Sequence, residues 1–170
     1  MKARSPAAWL SSALALACTA TSCFIDPVHD NDVSALGPEE PNVSTGPDHR
    51  PGQPCLVCHG GSGPATAQFS IAGTIYDTQG QKKPSQGAAV TMVDNNGSMS
   101  PMTVTNRVGN FYIELGAWAP NNPIHSVTVT SGNNSSQMLT HIGRDGSCAG
   151  CHFNPPGPMT PGPVYVNPSQ

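Results

Sequence analysis

The run "QFSIAGTIY", Gln68–Tyr76, alternates. Phe69, Ile71, Gly73 and Ile75 fall on one side of a two-residue period, and Ser70, Ala72, Thr74 and Tyr76 on the other. That is the pattern of a strand with one buried face. "DTQGQKKPSQG" (Asp77–Gly87) after it is rich in turn formers, and "AAVTMV" (Ala88–Val93) is a second strand. "DNNGSMSP" (Asp94–Pro101), "NRVGN" (Asn106–Asn110) and "SGNN" (Ser131–Asn134) are further turns. They separate four more strand candidates: "MTVT" (Met102–Thr105), "NFYIEL" (Asn110–Leu115), "IHSVTVT" (Ile124–Thr130) and "SSQMLTH" (Ser135–His141). About six short strands without a helical stretch predict a mainly β chain, a small antiparallel β-sandwich over 68–141.

This segment resembles the carboxypeptidase-regulatory-like family of β-sandwiches, which has a prealbumin-like topology. The matching residues are "AGTIYD" (Ala72–Asp77), Pro84, "GAAV" (Gly87–Val90), Thr105 and "GNFYI" (Gly109–Ile113), within Phe69–Thr130. The resemblance implies a non-catalytic packing or recognition module. No Ser/His/Asp set or pair of carboxylates in the segment speaks against that.

Two short motifs flank the sandwich: "CLVCH" at Cys55–His59 and "CAGCH" at Cys148–His152. Four readings compete for them. Zinc would take four thiolates, but paired CxxC motifs normally lie about 15–20 residues apart, and zinc gives no reason for a histidine after each pair. A thioredoxin-like dithiol wants a βαβ context, which is absent. Two disulfides suit an exported chain but again leave the histidines unexplained. Covalent haem uses every residue: each cysteine sulfur adds to one porphyrin vinyl group, and the next histidine donates an imidazole nitrogen to iron.

The paired motifs resemble those of dihaem c-type cytochromes. That resemblance implies two covalently bound haem c groups, one on Cys55 and Cys58 with His59 as proximal ligand, the other on Cys148 and Cys151 with His152. It also implies bis-histidine iron. His49 lies six residues before Cys55, and His141 seven before Cys148, so these are the distal candidates, paired locally or crossed. His125 and Met159 are weaker alternatives. Met138 reads as sandwich core and His29 as a solvated residue.

Composition narrows the function. Charged residues are only 10% of the 170, and there is no Lys/Arg cluster, which argues against nucleic acid. Aromatics are 5%, a thin supply for a core, so a bound cofactor is expected to fill part of the interior.

Lys2, Arg4 and the apolar run Ala7–Ala17 read as an export signal, too short to span a bilayer. "ALAC" (Ala15–Cys18) and "ATSC" (Ala20–Cys23) are loose lipoprotein boxes lacking the usual leucine, so Cys18 and Cys23 are lipid-anchor candidates; ordinary cleavage after Ala17 or Ala20 is the alternative. Membrane contact is expected only through such an anchor.

The predicted organisation is an export signal over 1–22, a proline-rich tether with little structure over 23–54, the first haem motif and hinge over 55–67, the sandwich over 68–141, and the second motif with an extended proline-rich tail over 142–170. The expected function is electron transfer outside the cytoplasm with redox partner proteins. A dihaem enzyme of peroxidase type, with one five-coordinate haem, and a binding module with accessory haems are the alternatives. If the first and last strands run antiparallel, both motifs cap the same end of the sandwich, which then acts as a clasp.

Overall fold

The computed structural model describes residues 26–39, 43, 45–138, 140–153 and 155–167. The segment expected to be an export signal, with Cys18 and Cys23, lies outside the described residues. Seven strands form two sheets: β1 (Phe69–Thr78), β2 (Ala89–Val93), β3 (Thr103–Val104), β4 (Asn110–Glu114), β5 (Ser126–Ser131), β6 (Asn134–Met138) and β7 (Val164–Asn167). One sheet has the order β4-β1-β7 and the other β3-β2-β5-β6. All pairings are antiparallel except β1 with β7.

The chain is thus mainly β, with two sheets packed face to face. The core between them contains Ile71, Ile75, Phe111 and Ile113 from the first sheet against Val90, Met92, Val127 and Val129 from the second. These are alternate positions along β1, β4, β2 and β5, as one buried face requires.

Three features depart from the sequence reading. The tail does more than wrap: β7 adds to the first sheet, pairing Ile75 with Val164 and Tyr76 with Tyr165, and Val166 joins the core. The tether holds a helix, α1 (Pro27–Ala35). Asp26 caps it by accepting hydrogen bonds from Val28 N and His29 N, both 3.1 Å, and Pro27 opens its first turn. Finally, the register of β1 against β4 shifts between Phe69 and Ile71. Phe69 therefore pairs with Glu114 and turns away from the core face that holds Ile71.

β1 is covered on both sides. Ala72 and Thr74, on the side away from the core, are 1% and 6% exposed. What buries them is the segment leading into the first CxxCH motif, where Gly52 N donates to Thr74 Oγ1 at 2.7 Å. No helix among the described residues is long and apolar enough to cross a membrane.

Candidate functional site

The first motif forms a single turn of helix, α2 (Leu56–His59), entered from Cys55. It lies on the outer side of β1. A cavity of about 260 Å³ there is lined by His49, Cys55, His59, Phe69, Ala72 and Tyr112 among others. His59 stacks on Phe69 with ring centroids 4.4 Å apart, and Phe69 stacks on Tyr112, also at 4.4 Å. The β1 register shift is what brings Phe69 into this column.

The second motif forms a 3-10 turn over Cys148–Gly150, with Cys151 following. It approaches β1 along the edge continued by β7. Ala72 N donates to Gly146 O at 3.1 Å, and Ala72 and Ser147 form a parallel bridge. A larger cavity, about 520 Å³, opens between the sheets on the side of β6 and β7. Its walls include Cys148, Cys151, His152 and His141, with Ile75, Val127, Val129 and Val164 behind them.

The two histidines that end the motifs are held alike. His59 Nδ1 lies 2.9 Å from Ala67 O, and His152 Nδ1 lies 2.7 Å from Gly162 O. A carbonyl only accepts, so Nδ1 carries the proton in each neutral ring. Each Nε2 then keeps its lone pair, the arrangement of a metal-ligating histidine oriented from behind.

His49 and His141 are brought to the motifs locally. The His49 and His59 rings have centroids 5.7 Å apart at an interplanar angle of 17°. The rings stack face to face rather than meeting through their nitrogens, and His49 Nδ1 accepts the Gly46 N–H at 3.3 Å, so the neutral ring carries its proton on Nε2 and has to turn and release this long bond before it can present Nε2 to a metal.

His141 is exposed, lines the second cavity with His152, and makes no hydrogen bond or ring contact among the described residues. His125 lines neither cavity; its Nε2 donates to Asn95 Oδ1 at 2.9 Å. Met159 is 96% exposed and also lines neither.

Burial sets the chemistry of the sulfurs. Desolvation pushes the Cys55 thiol up to about 11 and the Cys148 thiol up to about 12. Neither is poised to be a thiolate at neutral pH, as an attacking dithiol must be. The four motif cysteines are free thiols, Cys55 on the first cavity and Cys148 and Cys151 on the second with Cys58 lining neither, and among the described residues no three His, Cys, Asp or Glu side chains converge as a metal cluster. A thioether, neutral and apolar, suits these positions better.

The second cavity also holds unspent polar groups. Ser147 Oγ is buried on its wall without a partner, and Arg144, also on the wall, has no hydrogen bond or ion pair among the described residues. The Asp145 carboxylate stands on the same wall, so Arg144 and the Ser147 hydroxyl are the groups there that could meet the carboxylates of a flat apolar ligand such as a porphyrin. Sequence pattern alone missed these two residues, because neither is part of a motif. It also misread His29, which is half-buried on α1, a helix packed against α2, with Nε2 buried and unpartnered.

No protein-family model, curated protein or solved structure matches the chain. The chemistry of the two cavities therefore has to carry the functional reading.

Proposed function

We propose that the protein is an exported dihaem c-type cytochrome that passes single electrons between redox partner proteins, tethered to a membrane through a lipid on Cys18 or Cys23. The observation that carries this reading is the repeated construction of the motifs. Each puts its histidine in a cavity with cysteine of its own motif, Cys55 in the first and Cys148 and Cys151 in the second, with Nδ1–H spent on a main-chain carbonyl.

Haem, when bound, supplies the one-electron chemistry. Cys55 and Cys58 would anchor one group and Cys148 and Cys151 the other, with His59 and His152 as the histidines that would ligate iron. Ala67 O and Gly162 O orient those ligands and raise their basicity. Phe69, Tyr112 and the walls of the larger cavity keep water from the ring faces. The sandwich is a non-catalytic scaffold, the role implied by its resemblance to the prealbumin-like family.

The test is a pyridine haemochrome assay with intact mass on protein made alongside a haem-attachment system. Two covalent haems per chain are expected. Cys58→Ala and Cys151→Ala should each lose about half of the haem. Full retention in both variants, or purification with stoichiometric zinc, would overturn the reading.

A further inference from the structure

The two cavities differ in what they already offer a ligand. The second, at about 520 Å³, falls within the range of small-molecule pockets, about 300 to 1,000 Å³, and the first, at about 260 Å³, falls below it. Both cysteines and the histidine of the second motif stand on the larger wall, over an apolar floor that includes Ile75, Val127 and Val129. Of the first motif, Cys55 and His59 line the smaller cavity and Cys58 does not.

Two polar groups on the larger wall lack a protein partner. Ser147 is only 6% exposed, yet its Oγ makes no hydrogen bond. A hydroxyl that has left water without gaining a partner is destabilising until a ligand atom meets it. Arg144 is exposed and makes no hydrogen bond or ion pair among the described residues. The neighbouring Asp145 carboxylate is turned to other work. Its Oδ1 accepts the Ser147 N–H at 2.8 Å, and its Oδ2 lies where a Cβ on Gly150 would come within 2.5 Å. Asp145 thus holds the turn that enters the motif and leaves the guanidinium to an anion. No lysine or arginine stands among the described residues on the smaller wall.

We infer that the second cavity is a preformed, non-covalent binding site for a planar apolar dicarboxylate, the porphyrin itself, with Arg144 and the Ser147 hydroxyl recognising its carboxylates before any thioether forms. The first cavity, smaller and without a cation, is not such a site.

This inference rests on the dihaem reading for the identity of its ligand, and the probe keeps the two apart. Zinc mesoporphyrin carries ethyl groups in place of vinyls, so it forms no thioether; it is titrated into the haem-free full-length chain and followed by fluorescence. One molecule per chain is expected, bound more weakly by His152→Ala. Arg144→Gln should weaken binding about tenfold, as loss of one charge-assisted hydrogen bond does. Arg144→Lys should restore part of that, and Ser147→Ala should weaken binding less. The dimethyl ester of the same porphyrin, which has no free carboxylate, should bind wild type and Arg144→Gln alike. Because Arg144 is exposed and unpartnered, its replacement leaves the fold intact. No binding, two molecules per chain with equal affinity, indifference to His152→Ala, or an equal effect of Arg144→Gln on acid and ester would each overturn the inference. A chain that acquires covalent haem in cells but ignores this porphyrin counts against the inference alone. One that binds the porphyrin as described but never acquires covalent haem supports the inference and counts against the dihaem reading.

Discussion

Gly73 admits the second motif to the sandwich. A Cβ there would sit 2.7 Å from both Cβ and Sγ of Cys148 and 3.1 Å from Phe111 Cε1. Cys148 can lie against the middle of β1 only because that position has no side chain. Gly73→Val is expected to push Cys148 out of place, costing about 1–3 kcal/mol as an overpacked core does. A denaturant midpoint and a haem count on the same sample would check this; unchanged stability with full haem at the second site would refute the contact. The thiols give a second expectation. With Cys55 raised to about 11 and Cys148 to about 12, against an ordinary value of 9.0, haem-free protein at pH 8 holds about 100-fold and 1,000-fold less thiolate at these positions than an ordinary cysteine would. Cys151 is exposed, so iodoacetamide should modify it at least about tenfold faster than either, as mapped by peptide mass. The unfolded chain begins to lose these protons near pH 9 while the folded chain retains them. Stability of the haem-free form should therefore fall as pH rises from 9 towards 11 and 12.

Among the elements, the turn from β2 to β3 is tied together by one carboxylate. Asp94 is buried and accepts main-chain N–H bonds from Asn96 at 2.9 Å, Ser98 at 2.8 Å and Asn121 at 2.9 Å. The Asn121 N–H contributes most, and together these bonds hold the carboxyl below its ordinary value of 3.8. Because the folded value is depressed, the stabilisation is complete above pH 3.8 and disappears as pH falls through the folded value. Asp94→Asn should lower the denaturant midpoint at pH 7 and flatten its decline below pH 4; an acid limb identical to wild type would show that another carboxylate governs it. The strands themselves were legible. Alternation in 68–76, 88–93, 110–115 and 124–130, with turn residues between, is a local signal, and β1, β2, β4 and β5 lie where it puts them. The rest depends on contacts between distant segments. β7 hides among prolines, because a strand that pairs along only one edge needs no periodic signature. The Phe69 shift could not be read from the alternation of β1, since a bulge is set by the partner strand. α1 carries a clear Asp26–Pro27 start signal, but no apolar stripe marks the short segment as helix. At the candidate site, the motif cysteines and histidines were visible because their spacing is chemical, whereas Arg144 and Ser147 became visible only through the cavity wall on which the fold places them.

For the whole molecule, the clasp operates differently from the arrangement that antiparallel terminal strands would produce. β1 and β6 belong to different sheets, so the two motifs are not brought together by those strands pairing side by side. They meet across β1 instead, one over Ala72 and Thr74 on its outer side and the other against Gly73 on its inner side and edge. Gly146, two residues before Cys148, packs so closely on β1 that a Cβ would collide with Ser70 O and reach Leu56 Cδ2 of the first motif at 3.1 Å. Burial is the main cause of the raised Cys148 thiol, and negative charge on Cys55 would push it in the same direction. The ninety residues between the motifs thus fold into the wall that both share, a reason for the long insertion that does not depend on what the sandwich binds. The shared wall has an electrical consequence. If redox centres are bound at these two neighbouring motifs, they cannot titrate independently: an electron on one raises the cost of adding an electron to the other. The two-haem protein should therefore be reduced in two separated waves even if the intrinsic potentials are alike, and the ferric irons should show magnetic coupling in paramagnetic resonance. Blocking one site should move the remaining potential upward, because the partner's electron is no longer there to oppose reduction. Cys55→Ala/Cys58→Ala supplies that single-haem reference for the second site, and Cys148→Ala/Cys151→Ala supplies it for the first. Spectra and potentials of the whole protein that equal the sum of these two variants would mean that the motifs touch without their centres communicating, and the shared-wall account of the insertion would fail.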